Sequence, residues 1–470
     1  MFFFPEVPTG SMGNFLPPHV QVLILGDRIL HGGLPSNMSM LTNLRHLQAH
    51  HELVSSIQGL GKLIALEELS VSGRKVRELG EMSSLRELQI WRLEDIVSKE
   101  DAMQARLNAK EDLDVLDLGW AFNRDGRAMN QTLEEEVIES LQPTNSIRRL
   151  RITGYAGIKS PSWMEDPSWV SLSFLETVEL RDCRNWAFLP PLGQLPCLKS
   201  LTIKGMSGVR QMGAQFFDCC AYGGGGVRVQ QGFPSLEALL ISRMLELEEW
   251  TIPYEDGSGE EQQHDSLLPR LKDLEIDDCP KLRELPALPH TLQKLLIHGV
   301  GLTHLPRWLG CQDGSSHTHD QLPSSPSSPS LTHLFLMRCP NLRSLDDGFL
   351  HHPLHNLNYL EVSECEELES LPERAFGHLI SLESLRVRNC PKLSRSRSPP
   401  VVMMTGDDIL PSSLQEVSIL GCGDTIGELL LASSQKLTSL SKLAVDVDSP
   451  SMAAWFRELN TLTSLEIWKC

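Results

Sequence analysis

Basic residues are in deficit along these 470 residues, with 42 Lys and Arg against 61 Asp and Glu and a formal net charge of -19. Polyphosphate affinity is supplied largely by clustered Lys and Arg, so this balance argues against nucleic acid or an anionic membrane surface as partner. Long apolar runs are also missing. No stretch of about 18 apolar residues exists, which removes a membrane span. The start Met1-Phe2-Phe3-Phe4-Pro5-Glu6 has neither the positive region nor the apolar length of a secretory signal. The 11 cysteines are too sparse for a disulfide scaffold, and no CxxC pair suggests zinc or redox chemistry. The expected compartment is therefore cytoplasmic or nuclear. GxxxxGKS/T, HExxH, GxSxG and the kinase signature set are all lacking, so no enzyme, metal site or cofactor is expected.

What the chain does contain is one short pattern, repeated. LxxLxL, with Ile or Val allowed, recurs at Leu66-Leu69-Val71, Leu85-Leu88-Ile90, Leu113-Leu116-Leu118, Ile147-Leu150-Ile152, Leu175-Val178-Leu180 and Leu198-Leu201-Ile203. It continues from Leu236-Leu239-Ile241 through nine copies to Leu462-Leu465-Ile467, with weaker copies at Val20-Leu23-Leu25 and Leu44-Leu47-Ala49. The spacing is mostly in the twenties, the period of leucine-rich repeats. In a short strand alternate side chains face opposite ways, so the two apolar residues of the LxL half point inward. One unit cannot bury that face alone, whereas stacked units share a continuous core. The expected fold is α/β, a leucine-rich-repeat solenoid or horseshoe, with a parallel sheet on the concave face and irregular turns and short helices on the convex face. Residues 1–19 are expected to be an irregular tail and 20–470 one repeat domain of about seventeen repeats. At about 4.8 Å per strand the face would run roughly 80 Å, enough for a standard protein interface.

A second mark falls three residues after the last strand apolar: Cys183, Cys279, Cys339, Cys365, Cys390, Cys422 and Cys470. That is the Asn/Cys position of the repeat, where a small side chain turns inward, so these thiols read as structural. Inserts are expected near 96–112, 121–143, 206–234, 253–269, 311–330 and 394–411. Ser98 to Lys110 looks helical with Ser98 as N-cap, and Thr132 with Glu135 reads as a capping box. Gly223 to Gly226, the acidic Tyr254 to Asp265, Gln312 to Ser330 and Ser394 to Pro400 read as loops. Ser316-His317-Thr318-His319-Asp320, His351 to His355 and Cys219-Cys220 lack the further ligands that would close a metal site. The sequons at Asn37 and Asn130 and the tract Ser394 to Ser398 carry no more weight than chance matches.

The outward strand positions are where a partner would be met. In the middle of the chain they turn basic, with Arg148, Arg149, Arg151, Arg181, Lys199 and Lys204 on adjacent or near-adjacent repeats, partly countered by Glu176, Glu179 and Asp182. These six cations are the candidate partner-binding residues, since complementary charge confers specificity and association rate.

From Leu85 to Trp120 the text LRELQIWRLEDIVSKEDAMQARLNAKEDLDVLDLGW resembles the leucine-rich-repeat region of plant coiled-coil-type NB-ARC disease-resistance proteins, which are intracellular immune receptors. The resemblance continues, in order, through Leu141-Gln142-Pro143, Ile152 to Gly157 with Pro161-Ser162-Trp163, and Leu189 to Pro196. Gly205-Met206 with Gly213, Phe216 and Phe217 follows, then Phe233 to Leu236 with Met244 to Trp250. It implies a protein-binding module acting in pathogen effector recognition, autoinhibition of a nucleotide-binding switch and the defence response. The implied partner is a protein: an effector, a host guardee or a nucleotide-binding domain. Nothing before residue 20 corresponds to the coiled-coil and nucleotide-binding domains of such receptors. The alternatives are a stand-alone repeat scaffold or a ubiquitin-ligase substrate adaptor; the latter needs an F-box-like helical segment that residues 1–20 are too short to form.

Overall fold

The computed structural model describes residues 2–4, 16–25, 37–121, 130–165, 172–217, 232–251, 268–308, 328–345, 349–350, 354–371, 376–395, 410–422, 437–446, 456 and 459–468. The chain divides into two compact units, Met1–Val209 with Gln215–Val229, and Arg210–Ala214 with Gln230–Cys470.

In the first unit β1 (Phe2–Phe4) precedes the repeats, and each LxL half forms a strand: β2 (Val22–Leu25), β3 (His46–Gln48), β4 (Glu68–Ser72), β5 (Glu87–Trp91), β6 (Val115–Gly119), β7 (Arg149–Thr153), β8 (Thr177–Arg181) and β9 (Ser200–Lys204). Consecutive strands pair in parallel. The register aligns the repeat phase, with Leu88 opposite Leu116, Leu116 opposite Leu150 and Leu150 opposite Val178. β1 lies in the stretch expected to be an irregular tail; Phe2 to Phe4 pair with Leu23 to Leu25.

The second unit repeats the scheme. Its strands are β10 (Gln211–Met212), β11 (Ala238–Ser242), β12 (Glu249–Trp250), β13 (Asp273–Cys279), β14 (Lys294–Val300), β15 (His333–Met337), β16 (Tyr359–Ser363), β17 (Ser384–Arg388), β18 (Glu416–Leu420), β19 (Lys442–Asp446) and β20 (Ser464–Trp468). β11 and β13 to β20 form one parallel ladder, and β10 pairs with β12 in a separate ribbon.

Burial alternates along the strands as the period of two requires, and the inward Leu, Ile and Val are almost without solvent contact. Each such side chain contributes roughly 1.5–3 kcal/mol on leaving water. β20 departs from this, because Leu465 and Ile467 occupy inward positions yet are 39% and 56% exposed, with no described coil covering them.

Eleven strands, β5, β7 to β9, β11 and β13 to β18, end the same way. Two residues after the last inward apolar the backbone turns left-handed, at Arg92, Asp182, Gly154 and Gly205 in the first unit and at Arg243, Asp278, Gly299, Arg338, Glu364, Asn389 and Gly421 in the second. The next residue drops inward, and there Cys183, Cys279, Cys339, Cys365, Cys390 and Cys422 are buried. The Cys365 and Cys422 thiols reach back to the Leu336 and Val387 carbonyls of the preceding strands, at 3.9 and 3.6 Å. Burial pushes the Cys183 and Cys279 thiols up to about 12, so they are inert at neutral pH. Cys470 lies outside the described residues.

Return segments run through 3-10 turns such as Leu60–Lys62, Leu107–Ala109 and Leu192–Gln194, and through α1 (His51–Ser56), α2 (Lys99–Met103) and α3 (Gln131–Ser140). Ser98 caps α2 through the Asp101 amide, but this helix is shorter than expected and gives way to the turn at Leu107. The capping box expected at Thr132 is not formed. Asn130 takes that place, its Oδ1 accepting from the Leu133 amide at 3.2 Å, which starts the helix two residues earlier. Glu135 instead accepts the Ile158 amide, while Val137, Ile138 and Leu141 are buried and Leu133 is half-exposed. The Asn37 amide donates to the Leu16 carbonyl, so both sequon asparagines hold local structure.

The glycine run Gly223 to Gly226, Cys219-Cys220, Tyr254 to Asp265, Ser316 to Asp320, His351 to Pro353, Ser396 to Pro400 and most of the later inserts lie outside the described residues. Among the described residues no helix is long and apolar enough to cross a membrane.

Candidate protein-binding face

Outward side chains of neighbouring strands fall into rows. In the first unit the register places Gln89, Asp117, Arg151, Glu179 and Thr202 in one row, and Trp91, Gly119, Thr153, Arg181 and Lys204 in the next. A third row carries Glu87, Val115, Arg149, Thr177 and Ser200. Arg149, Arg151, Arg181 and Lys204 thus share one face, while Arg148 and Lys199 sit on its leading edge, one residue before their strands.

Four of the six cations already have carboxylate partners. Arg151 lies between two acids: its Nη1 meets Asp117 at 3.1 Å, and its Nε and Nη2 grip both oxygens of Glu179 at 2.9 and 3.1 Å. Arg181 joins the same Glu179 at 2.7 Å. Arg148 stands 3.7 Å from Asp114 and 3.4 Å from Glu176, and Lys199 is 2.8 Å from Glu176. Arg149 and Lys204 make no ion pair among the described residues.

The two acids beside Arg151 respond differently. Burial raises the Asp117 carboxyl above its ordinary value, and the charge of Arg151 only partly opposes this. Burial also pushes Glu179 upward, but the hydrogen bonds and charge of Arg151, with Arg181, outweigh it and leave Glu179 below the usual range. The difference follows from contact: Glu179 is gripped bidentately from one side and held from the other, whereas one Asp117 oxygen is buried without a partner.

The leading edge carries a pattern that no short motif reveals. Just before β3 to β9 stand Arg45, Glu67, Arg86, Asp114, Arg148, Glu176 and Lys199, alternating in sign. Each residue's amide donates to the carbonyl of the one before, so the charges are stacked neighbours. Arg45 to Glu67 is 3.2 Å and Arg86 to Glu67 is 4.0 Å. The signal was legible only by comparing one fixed repeat position along the chain. Exposed pairs of this kind are worth about 0–1 kcal/mol each, so their chief effect is to cancel a charge that would otherwise face a partner. Farther along the same face, β2 to β5 line a cleft of about 580 Å³ with Val22, Ile24, His46, Gln48, Glu68 and Glu87.

In the second unit the rows carry rings. Lys294, His333 and Tyr359 are aligned in one row, and Leu296, Phe335 and Glu361 in the next. The His333 ring lies 6.3 Å from Phe335 and 6.0 Å from Tyr359, and Phe335 is 4.9 Å from Tyr359. Lys294 Nζ is 5.9 Å from the Phe335 centroid and Arg386 Cζ 5.4 Å from that of Tyr359. These residues went unnoticed in the sequence because they occupy the variable positions of the repeat, where one strand at a time shows nothing unusual.

Residues 76–206 match the family described as R13L1/DRL21 LRRs. Over 365 residues the chain is 31% identical to disease resistance RPP13-like protein 1 of Arabidopsis thaliana, covering 74% of this chain and 30% of that protein. Disease resistance protein RGA2 of Solanum bulbocastanum is 32% identical over 233 residues, 47% of this chain and 22% of its own. The chain thus spans less than a third of the length of these relatives and is similar to them as a leucine-rich-repeat region. Among solved structures, an internalin of Listeria monocytogenes aligns over 87% of this chain and 89% of its own at 12% identity, with a TM-score of 0.36; the strand pairing above defines the repeat fold without it.

Proposed function

We propose that this chain is the protein-recognition module of a plant disease-resistance receptor. It binds a protein partner through the outward rows of its strands, and that partner is a pathogen effector, a host guardee or the receptor's own nucleotide-binding domain. The observation that carries the reading is the contrast between the two sides of each strand. The inward rows are Leu, Ile and Val coil after coil, whereas the outward rows change in charge and ring content from strand to strand. A surface whose chemistry varies on an invariant frame suits recognition, and the similarity to disease resistance proteins supports the receptor setting.

Within this reading the module works in the cytoplasm by differential binding. Contact with the nucleotide-binding domain holds a switch in its resting state, and effector contact favours the other state by its own difference in affinity. Arg149 and Lys204 are the cations free to meet an acidic partner; Arg148, Arg151, Arg181 and Lys199 already serve carboxylates of this chain. Replacing Arg149 and Lys204 together by Glu should weaken association with a nucleotide-binding domain from a relative about ten-fold and flatten its dependence on salt, because fewer attractive pairs are left to screen. Pull-down and titration calorimetry read this directly. Binding that is unaltered by the double replacement removes the two cations from the interface, and no association with either the domain or an effector removes the receptor reading.

A further inference from the structure

The three strands β14, β15 and β16 turn outward the kinds of side chain that a parallel sheet normally keeps within. Leu296, His298, His333, Phe335, Met337 and Tyr359 are contiguous through the register, and all are partly or fully open to solvent. His333, Phe335 and Tyr359 stand against one another within 6.3 Å. Aromatic and Met side chains are enriched in the desolvated centre of protein interfaces.

Charge flanks this strip unequally. On β13 the outward residues are Asp273, Glu275 and Asp277, three acids in alternate positions. Asp277 is taken by His298 at 2.6 Å, but Asp273 and Glu275 make no ion pair among the described residues. On β17 the outward cations are Arg386 and Arg388. Arg386 is held by Glu416 at 2.6 Å, while Arg388 meets the Ser418 hydroxyl at 3.1 Å and makes no ion pair among the described residues. The charges inside the strip are committed as well: Glu361 accepts from Tyr359 Oη at 2.6 Å, and Lys294 lies over the Phe335 ring. Once these pairs are set aside, open carboxylates remain at the β13 edge and one open guanidinium at the β17 edge.

We propose that this strip receives a short extended polypeptide segment lying across the strands, with a basic end over β13, an apolar or aromatic middle over β14 to β16 and an acidic end over β17. Four strand steps of about 4.8 Å make roughly 19 Å, the reach of about six residues in extended form. The apolar middle supplies affinity, while the two ends, opposite in sign, select and orient the partner. The inference rests on the protein-binding reading and adds the chemistry of the partner to it.

The test uses the full chain and three synthetic peptides, blocked at both termini, that share a Leu-Trp-Leu centre. One has a Lys pair at one end and a Glu pair at the other, the second has Lys pairs at both ends, and the third has Glu pairs at both. Calorimetry or tryptophan fluorescence should show the mixed peptide binding about ten-fold more tightly than either uniform one. Phe335→Ala with Tyr359→Ala should weaken the mixed peptide about ten-fold. Asp273→Lys with Glu275→Lys should transfer the preference to the peptide with Glu at both ends. All these positions point outward, and the charge reversal is read as a change of preference that unfolding cannot produce. Equal binding of the three peptides, or no binding of any, overturns the proposal. If the peptides fail while association with a nucleotide-binding domain persists, only the partner chemistry falls; if they bind while that association is absent, the receptor reading falls and the strip stands.

Discussion

Lys110 is 1% exposed, and its ammonium is aimed at two carbonyls of the preceding coil, Leu79 at 2.7 Å and Met82 at 2.8 Å. Burial lowers its pKa to about 8 from the ordinary 10.5, with the neighbouring Glu81 only partly opposing this. The neutral amine has two N–H groups for two acceptors, whereas the charged form carries a third proton with no partner. The sign follows from proton binding: between about 8 and 10.5 the unfolded chain holds the proton more firmly than the folded one, so folding stability should rise with pH across that window. Denaturant midpoints of the native chain measured against Lys110→Met from pH 7.5 to 10.5 check this. The native chain should gain on the variant as pH rises, and a flat difference would show that burial does not shift the amine. A second residue-scale prediction concerns the left-handed turns. Gly421 has φ +67, and a Cβ there would sit 2.6 Å from Asn389 Oδ1. Gly421→Ala should therefore cost at least about 1–2 kcal/mol, the ordinary penalty of the left-handed region, measured by chemical denaturation.

At the scale of the element, the strands and the Ser98 start of α2 were legible, and the start of α3 was not. Every LxxLxL copy found in the sequence is a strand in the described residues, because inward burial at a period of two leaves no freedom of phase. The cap of α3 was misplaced because Thr132 and Asn130 both suit an N-cap by residue type; which of them takes the role depends on where the preceding chain delivers the backbone. In the fold Glu135 is drawn off to the Ile158 amide, and Glu134 accepts from Ala156 at 3.2 Å. Asn130→Ala should cost about 1 kcal/mol, whereas Thr132→Ala should be nearly neutral. Hydrogen exchange of the first turn of α3 separates the two, and equal loss from both would restore the capping box.

For each unit as a whole, stability is passed between neighbouring coils. Leu360 on β16 is fully buried and lies between Leu334 and Leu385 in the register. Leu360→Ala should cost about 2–5 kcal/mol. Because a repeat touches mainly its neighbours, the loss of amide protection should be largest on β15 to β17 and fall away toward β19. Uniform loss along the ladder would contradict nearest-neighbour coupling.

The sequence by itself determined the repeat, the inward row, the buried thiols at the strand ends and the absence of a catalytic motif, because each depends on residue type at a fixed spacing. It also placed Arg148, Arg149, Arg151, Arg181, Lys199 and Lys204 on one side. Only the tertiary structure decided which of these charges are available. Residues more than twenty positions apart become neighbours when coils stack, so Glu176, Glu179, Asp114 and Asp117 claim four of the six cations. The same stacking gathers His333, Phe335 and Tyr359, each unremarkable in its own strand, into a single surface. Inward positions obey a local rule that every coil repeats, whereas an outward side chain acquires its meaning from the strands on either side.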